Sequence, residues 1–243
     1  MKPIVTVRLF FVVLSGLFTI SPTQSLKADN SVKSEGESRT IRVACVGDSI
    51  TFGARLEERN TQSYPAVLQG LLGKQYEVSN FGVGGCTLIR KGRPNVWSNL
   101  EKIKQSKPDI VVISLGTNDT CGGRRACWDH HDDFPTDLKD LIHSFRQLRP
   151  SPKIWVCLPT PMVLSTPGLN AERIADLEER SPRLQKLIEE IKSVARDQEV
   201  NVLDLNSPLS EKPELFTRKD GVHPNKMGYA KIAKLVHTAI SSN

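Results

Sequence analysis

The chain has 243 residues, 38% of them hydrophobic, which suits one globular domain or at most two small ones. Its formal charge is +6, and removal of residues 1–28 as an export signal would take away three basic residues and no acidic ones, leaving +3. So small a charge, with the basic residues scattered rather than in runs, excludes nucleic acid as an expected partner.

The first residues have the pattern of a secretory signal. Lys2 and Arg8 flank the start of an apolar run over residues 9–20, and small polar residues follow as far as residue 28. This run of 12 residues is short for a membrane span, which needs about 20. We therefore expect residues 1–28 to be a cleaved signal peptide, with an uncleaved anchor as the alternative. The protein is then secreted or periplasmic, without stable membrane insertion.

Residues 29–40 are polar and charged, which predicts a flexible tail before a single domain over residues 41–243. Within that domain, short runs rich in Val and Ile alternate with amphipathic stretches. The runs predict strands buried on both faces, at residues 41–47, 76–82, 109–116, 153–159 and 199–205. The amphipathic stretches predict helices at residues 63–73, 96–106, 136–149, 181–198 and 225–240.

This alternation of strands and helices predicts a three-layer α/β/α sandwich around a central five-stranded parallel sheet. Ligands bind such sheets just beyond the carboxyl ends of the strands, near the point where the strand order reverses. The loops that follow the predicted strands are therefore where chemistry is expected.

Four of these loops carry residues of that kind. Ser49 follows the first strand in "GDSITFG", and glycines follow the second in "NFGVGGCT". Asn118 follows the third in "GTNDT", and Asp220 and His223 precede the last helix in "DGVHP". Each has a structural explanation when taken alone. Ser49 or Asp220 could cap a helix, Asn118 could form an Asx turn, and His223 could be an ordinary loop residue.

Together these residue types suit acyl transfer. A serine hydroxyl such as Ser49 needs a base to take its proton, and an imidazole such as His223 titrates close to neutral pH. Asp220, three residues earlier, can accept the other ring N–H and fix the tautomer. The oxyanion needs donors, for which the Ser49 backbone N–H, a glycine N–H of the second loop and the Asn118 amide are candidates.

The four segments, in this order and spacing, resemble the blocks of the SGNH hydrolases, also called the GDSL family of esterases and lipases. The resemblance implies the flavodoxin-like SGNH hydrolase fold, with Ser49 as nucleophile and Asp220 and His223 as its partners. It implies Ser49, Gly85 and Asn118 as the oxyanion hole, with Gly82 and Gly84 as rivals to Gly85. Ile50 stands where the family usually has leucine.

No metal or other cofactor is expected. The cluster "DHHDD" at residues 129–133 is interpreted as a polar loop, because consecutive residues rarely point at one ion, and no phosphate-binding glycine loop is present. Asp48 and Asp119, beside the site residues, are interpreted as structural hydrogen-bonding partners. Cys121 and Cys127 could form a disulfide or remain free thiols.

The substrate is predicted to be a small-molecule or glycan ester with a short acyl group, since aromatic residues are only 6% and no long apolar lid is visible. The blocks look most like those of secreted bacterial acetylesterases, including sialate O-acetylesterases, which implies removal of acetyl groups from sugar hydroxyls. Arg90, Lys91, Arg93 and Trp97 follow the second block, and Arg90, Arg93 and Trp97 are the candidate substrate-binding residues at the rim of the site.

Three other functions remain open at this point. One is a lysophospholipase or broad lipid esterase of the same fold. Another is a non-catalytic glycan-binding module, although a pure binder has no need of a base beside a hydroxyl. The last is a flavodoxin-like carrier of flavin mononucleotide, which would leave "DGVHP" unexplained.

Overall fold

The computed structural model of the protein describes residues 39–242 and, nearer the amino terminus, only the isolated Pro3 and Thr6. The predicted signal peptide over residues 1–28 and most of the predicted tail over residues 29–40 therefore lie outside the described residues. Residues 39–242 fall within a single folded unit. In this part of the chain, no helix combines the length and the apolar character needed to cross a bilayer.

The centre of the fold is a five-stranded sheet in which every pairing is parallel. Its strands are β1 (Ile41–Gly47), β2 (Tyr76–Gly82), β3 (Ile110–Ser114), β4 (Lys153–Leu158) and β5 (Asn201–Asp204). Their order across the sheet is β2-β1-β3-β4-β5, the order of flavodoxin-like proteins. The chain thus moves from β1 to one side and then crosses back to the other, so that the strand order reverses between β1 and β3. The predicted five-stranded parallel sheet is confirmed.

The α-helices of the described region are α1 (Ser49–Phe52), α2 (Arg59–Gln62), α3 (Tyr64–Leu72), α4 (Leu100–Gln105), α5 (Phe134–Arg146), α6 (Ala171–Asp197) and α7 (Lys226–Ser241). Short 3₁₀ turns occupy several of the connections, including residues 96–99, 123–125 and 128–133. The sequence predicted five of these helices, and α1 and α2 are short turns in the loop after β1.

Alternate residues of the strands belong to two separate hydrophobic cores, one on each face of the sheet. The sheet is therefore the middle layer of the fold. Val43 and Cys45 of β1 pack with α3 and α7, whereas Ala44 and Val46 pack with α5 and α6. The same alternation holds for β3, all five of whose residues are buried. The predicted three-layer sandwich follows directly from this burial of both faces.

Helix α6 is longer than predicted. It begins at Ala171 rather than at residue 181, because Asn170 caps it by accepting a hydrogen bond from the Arg173 N–H at 2.8 Å. The predicted stretch over residues 181–198 would place Pro182 in the first turn of the helix, where proline is common. In the structure Pro182 lies inside the helix, between the buried Leu177 and Leu184 that anchor both turns to the core.

Candidate active site

Ser49 lies at a sharp strand-to-helix turn beyond the sheet. β1 ends at Gly47, α1 begins at Ser49, and the Asp48 carboxylate between them accepts the Ile50 N–H at 2.8 Å as the helix cap. The backbone of α1 is pressed against the end of β2, because a Cβ built on Gly82 would lie 2.1 Å from the Phe52 nitrogen. This packing fixes the Ser49 hydroxyl in place at the carboxyl end of the sheet.

Asp220 and His223 share one tight loop just before α7. One oxygen of Asp220 accepts the backbone N–H groups of Val222 and His223, both at 3.0 Å. The other oxygen accepts the ring Nδ1–H of His223 at 2.9 Å. The loop turns at Gly221, whose φ of 68° lies in the left-handed region and whose added Cβ would come within 2.8 Å of the Val163 carbonyl oxygen.

These two segments, far apart in the chain, meet at one hydrogen bond. The Nε2 of His223 lies 2.8 Å from the Ser49 Oγ, within reach for proton transfer. Burial alone would raise the pKa of Asp220, but the hydrogen bonds and positive charge of His223, followed by the Val222 N–H, bring that pKa well below its usual range. Asp220 is therefore a carboxylate at neutral pH, oriented toward the ring.

The predicted oxyanion-hole residues gather beside Ser49. Within residues 39–242, the backbone N–H groups of Ser49 and Gly85 have no hydrogen-bond partner, so both are available to a bound anion. Gly85 has φ 75°, a conformation that favours glycine. The N–H of Gly82 is already donated to the Asn80 side chain at 2.9 Å, which removes Gly82 as a rival, while Gly84 stays open.

The Asn118 carboxamide lies in the same cluster but is already occupied. Its Nδ2 donates to the Cys86 carbonyl at 3.1 Å and to the Asp48 carboxylate at 3.3 Å. Its Oδ1 accepts from the Arg125 guanidinium at 3.0 Å, and Arg125 also donates to the Gly85 carbonyl oxygen at 2.5 Å. Three contacts thus fix the orientation of this side chain, and an incoming anion would have to replace one of the two that its Nδ2 makes.

Asp48 and Asp119 are both buried and both accept backbone hydrogen bonds, as predicted. Desolvation raises the pKa of Asp48 to about 6 and that of Asp119 to about 7, despite these bonds. Asp119 accepts the N–H groups of Leu88 and Ile89 at 3.0 and 2.8 Å. It thereby ties the loop after β2 to the loop after β3, and Asp48 ties the loop after β1 to Asn118.

A cavity of about 390 Å³ opens at this cluster and is mostly polar. Its lining includes Ser49, Asn118, Asp220 and His223, together with five basic residues that the sequence analysis missed, namely Arg55, Arg125, Arg173, Arg180 and Lys219. Proximity in the chain could have indicated Arg55, Arg125 and Lys219, because each lies within seven residues of a site residue in the same loop. Arg173 and Arg180 reach the cavity from α6, for which the sequence offers no signal.

Arg90, Arg93 and Trp97 do not line this cavity, contrary to expectation. The Arg90 guanidinium forms an ion pair with Asp137 of α5 and stacks over the Trp97 ring at 3.5 Å from its centroid. Arg93 donates to two backbone carbonyls of its own loop, and the Trp97 indole N–H donates to the Leu88 carbonyl at 2.7 Å. The polar groups of these side chains therefore contact acidic residues of α5 and carbonyl groups of their own loop.

The remaining polar clusters are also accounted for by local contacts. All five cysteines are free thiols, so Cys121 and Cys127 form no disulfide. Residues 128–133 form a 3₁₀ turn in which the His131 ring stacks on Trp128 at 4.3 Å and contacts the Trp128 carbonyl. Among residues 39–242, no three His, Cys, Asp or Glu side chains lie close enough together to hold a metal ion.

Two curated proteins are similar to this chain in sequence. A 222-residue alignment with an acetylxylan esterase of Xylanibacter ruminicola is 32% identical and covers 82% of this chain but 43% of that protein. A multidomain esterase of Ruminococcus flavefaciens is 26% identical over 226 residues, covering 80% of this chain and 28% of that protein. The chain thus spans less than half the length of these curated relatives.

Solved structures share the fold at lower identity. A carbohydrate acetylesterase from Sinorhizobium meliloti superposes with a TM-score of 0.66 at 18% identity, covering 84% of this chain and 99% of that one. An acetyl xylan esterase superposes with a TM-score of 0.63 at 22% identity, covering 82% of this chain and 100% of that one. The GDSL-like lipase/acylhydrolase family model matches residues 45–231, a span that includes Ser49, Asn118 and the Asp220–His223 loop. The resemblance of the four sequence blocks is therefore confirmed, and the chain belongs to the GDSL-like lipase/acylhydrolase family.

Proposed function

We propose that the protein is a serine esterase that removes acetyl groups from carbohydrate hydroxyls. The observation that carries the proposal is the continuous chain of hydrogen bonds from Ser49 Oγ to His223 at 2.8 Å and from His223 to Asp220 at 2.9 Å. A serine hydroxyl activated in this way is suited to attack a carboxylic ester. The amino-terminal sequence pattern supports action outside the cytoplasm.

The reaction begins when Ser49 Oγ attacks the acetyl carbonyl carbon while His223 Nε2 takes the hydroxyl proton. Asp220 keeps the ring in the tautomer that presents Nε2 and stabilises the imidazolium that forms. The imidazolium then gives its proton to the departing sugar oxygen, which leaves an acetyl group on Ser49. Water activated by the same imidazole releases acetate and restores the serine.

The oxyanion that develops is held by the N–H groups of Ser49 and Gly85 and by the Asn118 amide. The first two have no competing partner within residues 39–242. Asn118 joins them by exchanging its 3.3 Å contact with Asp48, the longer of its two donated bonds, for one to the oxyanion. Donors already aimed at the developing charge are worth roughly 10²–10³ in rate each.

The lining of the cavity supports a small acyl group on a polar alcohol. Among the described residues that line it, Val222 is the only aliphatic one, so this lining offers no apolar surface for the long chain of a lipid ester. The acetylxylan esterase of Xylanibacter ruminicola, at 32% identity, supports a carbohydrate as the alcohol. The contact between His223 and Ser49 argues against a pure glycan-binding module, which needs no activated hydroxyl.

The proposal is tested by measuring acetate released from acetylated xylo-oligosaccharides by the purified protein and its Ser49→Ala variant. In parallel, p-nitrophenyl acetate, butyrate and octanoate measure the acyl preference. We expect acetate release that depends on Ser49, and a kcat/KM that falls from acetate to octanoate. Faster hydrolysis of octanoate, with no acetate from the oligosaccharides, would assign the protein to lipid esters instead.

A further inference from the structure

The five basic residues of the cavity differ in whether protein partners already satisfy them. Arg173 and Arg180 share the Asp176 carboxylate, at 2.6 and 3.2 Å, and Arg180 also donates to Thr120 Oγ1 at 3.0 Å. Arg125 donates to Asn118 and Gly85 as described above. These three guanidinium groups therefore serve the internal structure of the site.

Arg55 and Lys219 are the two that remain. The side chain of Arg55 is 66% exposed, and its only acidic contact within residues 39–242 is 3.4 Å from its Nε to an Asp220 oxygen that His223 already occupies. Lys219 is exposed and forms no ion pair with any residue in that range. The Nη atoms of Arg55 and the Nζ atom of Lys219 therefore lie at the cavity without an acidic partner within residues 39–242.

The backbone at both residues is strained. Arg55 has φ 70° and Lys219 has φ 66°, in the left-handed region that glycine adopts without cost. Strained backbone of this kind tends to occur at functional sites. Both side chains line the cavity that holds Ser49, and Arg55 contacts Asp220, the residue that Lys219 directly precedes.

We propose that Arg55 and Lys219 form a subsite for a carboxylate on the sugar that carries the acetyl group. The preferred substrate class is then an acetylated acidic glycan, one with a uronic acid or similar sugar at the scissile ester. The guanidinium of Arg55 can bind a carboxylate with two parallel N–H donors, and Lys219 supplies a point charge. This inference rests on the proposed function, because it names the alcohol part of the same ester.

The test compares two matched substrates, an O-acetylated methyl glucuronoside and its neutral carboxamide. The purified protein should hydrolyse the acid with a kcat/KM about tenfold higher at low ionic strength. The advantage should shrink as salt is added, because salt screens charges at a partly exposed site. Lys219→Gln should cost several-fold more on the acid than on the amide, while Lys231→Gln, which changes an exposed lysine of α7, should leave the ratio between the substrates unchanged.

The outcomes separate this inference from the function on which it rests. Equal rates on acid and amide, with acetate released from both, would remove the subsite and leave the acetylesterase standing. An equal loss on both substrates in Lys219→Gln would also overturn the subsite. Hydrolysis of neither sugar would remove the proposed function and the subsite with it.

A separate observation concerns Arg125, whose guanidinium holds the far ends of two oxyanion donors. One nitrogen donates to Asn118 Oδ1 at 3.0 Å, on the carboxamide whose Nδ2 is a proposed oxyanion donor. Another donates to the Gly85 carbonyl oxygen at 2.5 Å, in the residue whose N–H is free for an anion. One side chain therefore fixes both groups at atoms that do not themselves contact the substrate.

We infer that Arg125 is a positioning residue for the oxyanion hole. It orients Asn118 and Gly85 before the reaction, and its positive charge draws electron density away from the Asn118 amide, which strengthens that donor. Since this effect belongs to the transition state, Arg125→Ala should lower kcat roughly 10- to 100-fold with little change in KM, below the cost of losing a donor itself. This inference too rests on the proposed esterase activity.

The chain offers a matched control in the preceding residue, Arg124, which is exposed and makes no hydrogen bond or ion pair within residues 39–242. Arg124→Ala should keep wild-type kinetics. Adding guanidinium ion at low millimolar concentration should restore part of the kcat of Arg125→Ala, an effect that a purely structural role would not produce. A kcat within twofold of wild type in Arg125→Ala, or a defect unmoved by guanidinium, would overturn the inference.

Discussion

Two basic regions of this molecule illustrate how little the presence of charge says about function. The loop over residues 88–97 contains Arg90, Lys91 and Arg93 close together, beside Trp97, and was expected to bind substrate. The cavity at Ser49 draws its cations from separate parts of the chain, from the loop after α1 to the turn before α7. Only the second region touches the reacting groups.

The difference lies in what neutralises each charge. Arg90 pairs with Asp137 and Asp140, and Lys91 pairs with Asp133 at 2.9 Å, so α5 and the turn before it compensate two of the three cations of that loop. The third, Arg93, donates to backbone carbonyls of the loop itself. At the cavity, the Arg55 contact with Asp220 competes with His223 for the same oxygen. A basic cluster therefore indicates a binding site only when the surrounding acids leave some of its charge uncompensated.

Ser49→Ala should have the largest effect of any substitution at the cavity, because it removes the nucleophile. It leaves no buried group unsatisfied. Hydrolysis of p-nitrophenyl acetate should fall by about 10⁴-fold or more, while thermal unfolding shifts little. Initial rates and a melting curve on the same preparation check this. A rate near that of the wild type would remove Ser49 from the mechanism.

Asp220→Asn should have the next largest effect. The substitution keeps the shape of the side chain but removes the charge that orients and stabilises the His223 ring, so kcat should fall on the order of 10²–10⁴-fold. Asp140→Asn is the control, since Asp140 is half exposed on α5 and contacts Arg90 rather than the site. No change in kcat for Asp220→Asn would reduce Asp220 to a cap of its loop.

Much of this site could be predicted because strand ends converge in a parallel sheet. Ser49 and Asn118 each follow closely after a recognisable apolar strand, and Asp220 and His223 lie in the connection from the last strand to the last helix. The geometry of the sheet brings these segments together at one edge. The same reasoning predicted the parallel sheet and the burial of both its faces, because buried parallel strands have sequences that are uninterrupted runs of residues such as Val and Ile. Local patterns and one rule of topology were enough to locate these residues, whereas Gly85 as an oxyanion donor was assigned from the resemblance to the family.

The residues that the sequence did not predict depend on tertiary contacts. Arg173 and Arg180 reach the cavity because α6 begins ten residues earlier than its amphipathic pattern indicated, and that start depends on the Asn170 cap. The occupation of the Asn118 amide by Asp48 and Cys86 is likewise a contact between loops. Patterns in a single sequence do not predict which tertiary partner a long or amide-bearing side chain will bind.

Asp119→Asn tests how a buried carboxyl group beside the site contributes to the stability of the protein, apart from the chemistry of the site. In the folded protein the pKa of Asp119 is raised to about 7, whereas an exposed Asp titrates near 3.9, so between those values the folded state holds more protons than the unfolded state. The free energy of unfolding should therefore fall as pH rises from about 4 through about 7, and Asp48, with a pKa raised to about 6, acts in the same direction.

In the Asp119→Asn variant this dependence should be shallower by up to about 1.4 kcal/mol per pH unit. The side-chain carbonyl that the substitution introduces can still accept the Leu88 and Ile89 N–H groups, because both now share one oxygen of Asp119. Denaturant unfolding at pH 5, 6, 7 and 8 measures the slope, with Asp140→Asn as the exposed control. Parallel slopes in the variant and the wild type would show that Asp119 is ionised throughout.

The smallest effects are expected in the loop over residues 88–97, where Asp137→Ala tests whether its charges serve structure. Asp137 is 4% exposed and accepts both the Arg90 N–H, at 2.8 Å, and the Arg90 guanidinium, so its loss leaves two partly buried donors without their acceptor, at a cost of about 1 kcal/mol of stability. Lys91→Ala removes a pair with both partners exposed and should change stability the least, because water and salt screen such a pair. Both variants should keep kcat/KM on acetyl esters within about twofold, because their side chains lie outside the cavity that holds Ser49. A large loss of activity in Lys91→Ala, without loss of stability, would return this loop to the substrate site.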